Sequence, residues 1–170
     1  LVNNVLEFSR IERHQKTYSL RPVALADIVH SVVTSFGPLV EQAGYKLEAA
    51  IDEDVGEVKA DPDALEQAIL NLLTNAMKFS GASRRIHLKL ARLGERAAIE
   101  VRDFGIGIAA GEQRKIFDSF YRVPSRESRN VPGAGLGLTL VRHVIEGHGG
   151  EVLVESAPGQ GSAFTLVLPL

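Results

Sequence analysis

From Asp61 onward the apolar residues Leu65, Ala68, Ile69, Leu72, Leu73 and Ala76 fall at i, i+3, i+4, i+7, i+8 and i+11. That spacing draws one unbroken stripe down a single face of an α-helix, and a stripe of that length must be buried. Asp61 stands at the N-cap position and Pro62 at the first helical position, where its missing N–H costs nothing. The chain must therefore supply a second layer for this helix to lie on. The flanking patterns supply it: short apolar runs at 46–51, 56–60, 85–92, 97–103, 151–155 and 163–168 read as strands. Further helices are expected over 25–42, ending at Gly44 with a bend at Gly37-Pro38, and over 136–148, with a short one at 112–118 and an amphipathic one over 1–15. Strands and helices come in mixed order, which argues for an α/β, two-layer sandwich: a mixed sheet of about five strands covered on one face by three helices.

Composition narrows the class of function. At 170 residues and 45% hydrophobic content, one domain can bury a core unaided. With no cysteine, disulfides and Cys-ligated metal centres are excluded. A net charge of −2 gives no overall basic field for nucleic acid or anionic lipid. No apolar run approaches the roughly 18 residues of a membrane helix, so the expected location is cytoplasmic, with no direct membrane contact.

Three constellations could carry chemistry. Asn71, Asn75 and Lys78 lie at i, i+4 and i+7, beside the buried stripe of the same helix. Asparagine is a mediocre helix former, so two of them one turn apart are a poor choice for a merely wet face. Amide oxygens suit Mg²⁺, and an ammonium one turn on suits phosphate. Asp103-Phe104-Gly105-Ile106-Gly107-Ile108 puts a carboxylate at a strand end, where it can accept from a donor such as an adenine amino group. The two glycines would let backbone approach a flat ligand. Gly133-Ala134-Gly135-Leu136-Gly137-Leu138 places three glycines before the last helix, where exposed N–H groups bind phosphate. No Gly-Lys-Ser/Thr follows, so this is not a Walker loop. Between the second and third constellations, 119–134 lacks periodicity and carries Pro124, Pro132 and several Arg and Ser, the pattern of a solvated, mobile loop.

Taken in this order, the boxes resemble the catalytic ATP-binding domain of bacterial two-component sensor histidine kinases, in the superfamily shared with gyrase, Hsp90 and MutL and built on a Bergerat-type fold. Asn71 to Phe79 resembles the asparagine box, Asp103 to Gly107 the first glycine box, and Phe117-Asp118-Ser119-Phe120-Tyr121-Arg122 the phenylalanine box. Gly133 to Leu138 resembles the second glycine box, and Gly159-Gln160-Gly161-Ser162-Ala163-Phe164 the terminal glycine segment. Residues 1–12 are similar to the end of the second dimerisation helix, so the resemblance divides the chain into a helical stump at 1–17 and a catalytic domain at 18–170.

The resemblance implies ATP and Mg²⁺ as cofactors. Asn75 would ligate Mg²⁺ with Asn71 assisting; Lys78 and Arg122 would meet phosphate; Asp103 would accept from adenine. Phe79, Gly105, Gly107, Ile108, Phe117, Phe120, Tyr121, Gly133, Gly135, Leu136, Gly137, Leu138 and Gly161 would complete the nucleotide site, with Arg122 and the aperiodic segment as a lid. Implied partners are the protein's own dimerisation and phosphoacceptor domain, in a homodimeric parent, and a response regulator receiver domain.

Two departures sort the possible activities. The ATP-hydrolysing relatives carry a water-activating Glu at the position held here by Asn71, an amide that cannot act as a base. Such help is worth about 10²–10⁴-fold, so hydrolysis is disfavoured. The family's acceptor is a His followed by Glu or Asp, yet His14, His30, His87, His143 and His148 precede Gln, Ser, Leu, Val and Gly. The acceptor is therefore expected on a helix outside this sequence. The alternative reading is a degenerate or anti-sigma-type nucleotide-binding regulator, which the intact Asn75, Asp103 and lid glycines disfavour.

Overall fold

The structure, a computed structural model, describes Ser9 and residues 17–124 and 133–170. The helix expected over 1–15, Ser9 aside, and the middle of the expected lid, 125–132, lie outside the described residues. A five-stranded sheet runs in the order β2 (Lys46–Ile51), β4 (Arg85–Leu93), β5 (Arg96–Asp103), β7 (Ser162–Pro169), β6 (Glu151–Ser156). Only the β2–β4 pairing is parallel; the other three are antiparallel. Three helices, α1 (Leu25–Gln42), α2 (Pro62–Phe79) and α3 (Gly137–Gly147), cover one face. This is the expected α/β architecture.

The register explains the core. Leu88 pairs with Val101 and Val101 with Phe164, Leu90 with Ile99 and Ile99 with Leu166, so whole rows of apolar side chains face the helices together. Ile86, Leu88, Leu90, Ile99, Leu166 and Leu168 are buried, and so is the α2 stripe from Leu65 to Ala76. The outward positions Glu100 and Arg102 are charged. A sheet with one wet face and one dry face is what period-2 alternation produces.

Local signals act as expected at the ends of α1 and α2. Asp61 Oδ1 accepts from the Ala64 N–H at 3.2 Å, satisfying one orphan donor of α2. α1 continues through Pro38 as one helix and ends at Gly44, whose φ of +80° lets its N–H reach the Glu41 carbonyl.

Two readings change. The short helix expected over 112–118 is a turn followed by a single 3₁₀ turn at Lys115–Phe117. Before α1 a strand absent from the expected set, β1 (Arg21–Ala24), pairs antiparallel with β3 (Glu57–Ala60) in a separate two-stranded ribbon. β3 thus belongs to that ribbon and not to the main sheet, a pairing between strands whose starts lie 36 positions apart (57 minus 21) that no local pattern encodes. Among the described residues no helix is long and apolar enough to cross a membrane.

Candidate nucleotide site

A cleft of about 770 Å³ opens between α2, the loop after β5, the N-terminus of α3 and the β6–β7 turn. Asn71, Asn75, Lys78 and Phe79 line one wall, Asp103 and Ser162 the floor, Gly107 and Ile108 a second wall, and Tyr121, Arg122 and 133–138 the rim. The volume and the largely apolar walls, punctuated by a few polar groups, suit a nucleotide-sized ligand.

The two distant constellations of the sequence meet here. A Cβ added at Gly137 would lie 3.9 Å from Asn75 Nδ2 and 4.0 Å from Asn71 Oδ1, and one added at Gly133 would lie 3.9 Å from Lys78 Nζ. The amide stripe of α2 therefore faces the start of α3. No side chain caps α3 at Leu136, so its first N–H groups carry the helix's positive end toward the cleft rim. Among the described residues none provides a hydrogen-bond or ion-pair partner for the side chains of Asn71, Asn75 or Lys78. Two amide oxygens, an ammonium and an uncapped helix start, all unpaired around one space, fit a phosphate chain with a hard cation.

Asp103 is 5% exposed, and its Oδ1 accepts from the Gly105 N–H at 2.9 Å. Burial pushes its carboxyl above the usual carboxylate range, against the opposing pull of the Gly105 and Ser162 N–H groups and of the Arg102 charge. A buried carboxylate with capacity left to accept is a specific seat for a flat heterocycle bearing an amino group.

Four expected contacts lie outside the cleft lining: Gly105, Phe117, Phe120 and Gly161. Phe117 is buried, its ring 6.4 Å from that of Phe164 in an edge-on pair. Phe120 is 60% exposed, at φ +64°. A Cβ on Gly105 would meet the Phe79 carbonyl oxygen at 1.8 Å, and one on Gly161 the Asp103 carbonyl oxygen at 2.1 Å. The space these glycines leave is filled by the protein's own backbone. Gly107 does line the cleft, yet its missing side chain makes room for the Ala157 carbonyl.

Sequence reasoning missed the network behind the floor. Ser156 Oγ accepts from the Ile108 N–H at 2.8 Å and contacts the Gly161 carbonyl and Ser162 Oγ. Gln113 Nε2 donates to the Ile108 and Ser156 carbonyls. Single serines and glutamines at these separations have no recognisable spacing. Thr74, Ile106, Pro158 and Phe164 also join the lining without a signal of their own.

Residues 60–170 match the family described as histidine kinase-, DNA gyrase B- and HSP90-like ATPases. The chain belongs to this family. Within it, the domain is a catalytic ATP-binding domain of the sensor histidine kinase type. It is 34% identical over 171 residues to the circadian input-output histidine kinase CikA of Synechococcus elongatus, spanning 99% of this chain and 23% of that protein. It is 36% identical over 171 residues to the sensor histidine kinase RcsC of Escherichia coli, spanning 100% of this chain and 18% of that one. The chain thus covers less than a third of the length of these relatives. A crystal structure of full-length ShkA in complex with AMPPNP superimposes with a TM-score of 0.84 at 31% identity, over 99% of this chain and 35% of that one. The catalytic domain of ThkA, at 24% identity and a TM-score of 0.75, shares the fold over 89% of this chain and 95% of that one.

Proposed function

We propose that this domain binds Mg-ATP in the cleft and passes the γ-phosphate to a histidine on a dimerisation helix outside these 170 residues, in two-component signalling with a receiver domain as the next partner. The observation that carries the reading is the convergence of Asn71, Asn75 and the start of α3 on one space at the cleft rim.

Phosphoryl transfer asks little covalent chemistry of a protein; it asks for position and charge. Asp103 accepts from the base and sets its depth in the cleft. Asn75 and Asn71 would hold Mg²⁺ through their amide oxygens, and the ion when bound neutralises charge on the phosphate chain. Lys78, Arg122 and the N–H groups at the start of α3 take up the remaining negative charge. Asn71 offers no base to a water molecule, so the terminal phosphate is kept for a protein acceptor. Tyr121–Val123 and 133–135 form the two ends of a lid: the Phe120 N–H donates to the Gly135 carbonyl at 3.0 Å, tying the ends together beside the site.

The test is incubation of the complete kinase chain with γ-labelled ATP. Acid-labile, base-stable label on a histidine of that chain is expected. Label on a serine of another protein would instead support the regulator reading, and release of free phosphate alone would support a gyrase-like hydrolase.

A further inference from the structure

At the ends of α2 and α3 remote from the cleft, the segment that enters β1 is seated on the junction of the two helices. The Tyr18 ring lies 4.9 Å from the His148 ring, inclined at 51°. It also covers Gly147, where an added Cβ would come 2.3 Å from Tyr18 Cε2. The Ser19 N–H donates to Asp61 Oδ2 at 3.0 Å while Asp61 Oδ1 caps α2. His148 closes the arrangement. It is 5% exposed, its Nε2 accepts from the Asp61 backbone N–H at 2.9 Å, and Nδ1, which therefore carries the proton, donates to the Val144 carbonyl at 2.6 Å. His148 thus holds the start of α2 against the end of α3, and the entering segment is fastened to both. None of these residues lines the cleft: Asp61 is 14 positions from Asn75 along α2, about 21 Å at 1.5 Å per residue.

We propose that Tyr18, Asp61 and His148 are positioning residues for the transfer step: their seat fixes the direction in which the segment before β1 leaves the domain, and so aims the cleft at the phosphoacceptor. The inference rests on the phosphotransfer reading above. A free linker would spread the acceptor through a large volume, whereas a pinned one raises its effective concentration at the γ-phosphate. Misplacement by about 1 Å is enough to cost up to about 10²-fold in rate. The seat and the cleft lie at opposite ends of the same helices, so loss of the seat leaves ATP binding in place and removes only the aim.

The experiment compares Tyr18→Ala, Tyr18→Phe and Gly147→Ala in the complete kinase chain carrying its own acceptor histidine. Gly147 closes α3 without a positive φ, so its backbone accepts alanine, and the added methyl pushes the Tyr18 ring off its seat. Tyr18→Ala and Gly147→Ala are expected to lower kcat for phosphohistidine formation by about tenfold, with KM for ATP within about twofold of the unsubstituted chain. Both alanine variants should keep the rise in Tm that Mg-ATP gives the unsubstituted chain, and Tyr18→Phe, which keeps the ring against His148, should lose less rate than Tyr18→Ala. Unchanged kcat in both alanine variants overturns the proposal. So does a fall in kcat matched by falls in ATP affinity and Tm, which would mark a loss of stability alone. No phosphohistidine in the unsubstituted chain would instead remove the transfer reading itself, and with it the seat's role.

Discussion

A buried carboxylate on the floor of a cleft works against the stability of the empty fold, and Asp103 makes the conflict measurable. Burial raises its pKa in the folded state, so the folded protein binds that proton more tightly than the unfolded chain does. The stability this group contributes is fully present below the ordinary carboxylate value near 3.9 and is lost as pH rises through the elevated folded value. At neutral pH the charged form is a cost that the Gly105 and Ser162 N–H groups offset only in part. Asp103→Asn keeps an oxygen for the Gly105 N–H but removes the charge and one acceptor. Calorimetry should show ATP affinity lowered about 10- to 100-fold, as expected for a hydrogen bond to a charged group worth about 1.5–3 kcal/mol, with adenine no longer preferred over guanine. In thermal melts without ligand, the Tm of the unsubstituted protein minus that of the Asp103→Asn variant should grow more positive as pH is lowered from 7 toward 4. Retained affinity, or a difference that shrinks on acidification, would reject the assignment. Asp103 was legible from sequence because a carboxylate at the end of a strand, followed by glycines, is chemically marked. Ser156 and Gln113 were not, because serine and glutamine take their roles only from what folding brings beside them.

Elements were legible where a single period runs through them and obscure where they depend on distant partners. α2 has a cap, a proline and a stripe, and its observed start and buried face follow from them. β1 has four residues and no alternation worth the name; it exists because Val23 and Ala24 meet Val58 and Glu57 of β3. The glycines were legible as glycines, though not in purpose. Gly105 sits where the β5 loop crosses the end of α2, and the Ile106 N–H donates to the Phe79 carbonyl at 3.1 Å. An alanine methyl there meets that carbonyl oxygen at 1.8 Å, and the oxygen, being backbone, cannot swing aside as a side chain could. Gly105→Ala should therefore destabilise the domain by about 3 kcal/mol, the upper part of the usual range for overpacking. At about 2–4 °C per kcal/mol for a domain of this size, Tm should fall by about 6–12 °C. Gly94 is the control: at φ +64° with open space around its Cβ position, alanine there meets only the left-handed backbone cost of about 1–2 kcal/mol. Equal melting temperatures for the two variants would show that close approach of α2 and the loop is not what Gly105 serves.

On the scale of the whole molecule, the cleft exists only in the folded state, since its walls come from positions as far apart as Asn71 and Phe164. A ligand that binds there and not to the unfolded chain must raise stability by RT ln(1 + [L]/Kd), about 2.7 kcal/mol at a hundred times Kd. For this domain that corresponds to a rise in Tm of about 5–11 °C with Mg-ATP at that concentration. Asn75 is half-buried, and its amide has no hydrogen-bond partner among the described residues, so its loss leaves the packing of α2 on the sheet intact. Asn75→Ala should thus melt within about 2 °C of the unsubstituted protein when ligand-free, in the range of a surface substitution, yet lose most of the Mg-ATP shift. The contrast separates a residue kept for its ligand from one kept for the fold. A variant that melts early without nucleotide would place Asn75 in the architecture, and one that retains the full shift would take it out of the cation site. The same melts also test the metal: if Asn75 acts through Mg²⁺, the part of the shift that depends on adding Mg²⁺ to ATP disappears in the variant, while the smaller shift given by ATP with chelator stays, because Asp103 and Lys78 are still in place to meet base and phosphate.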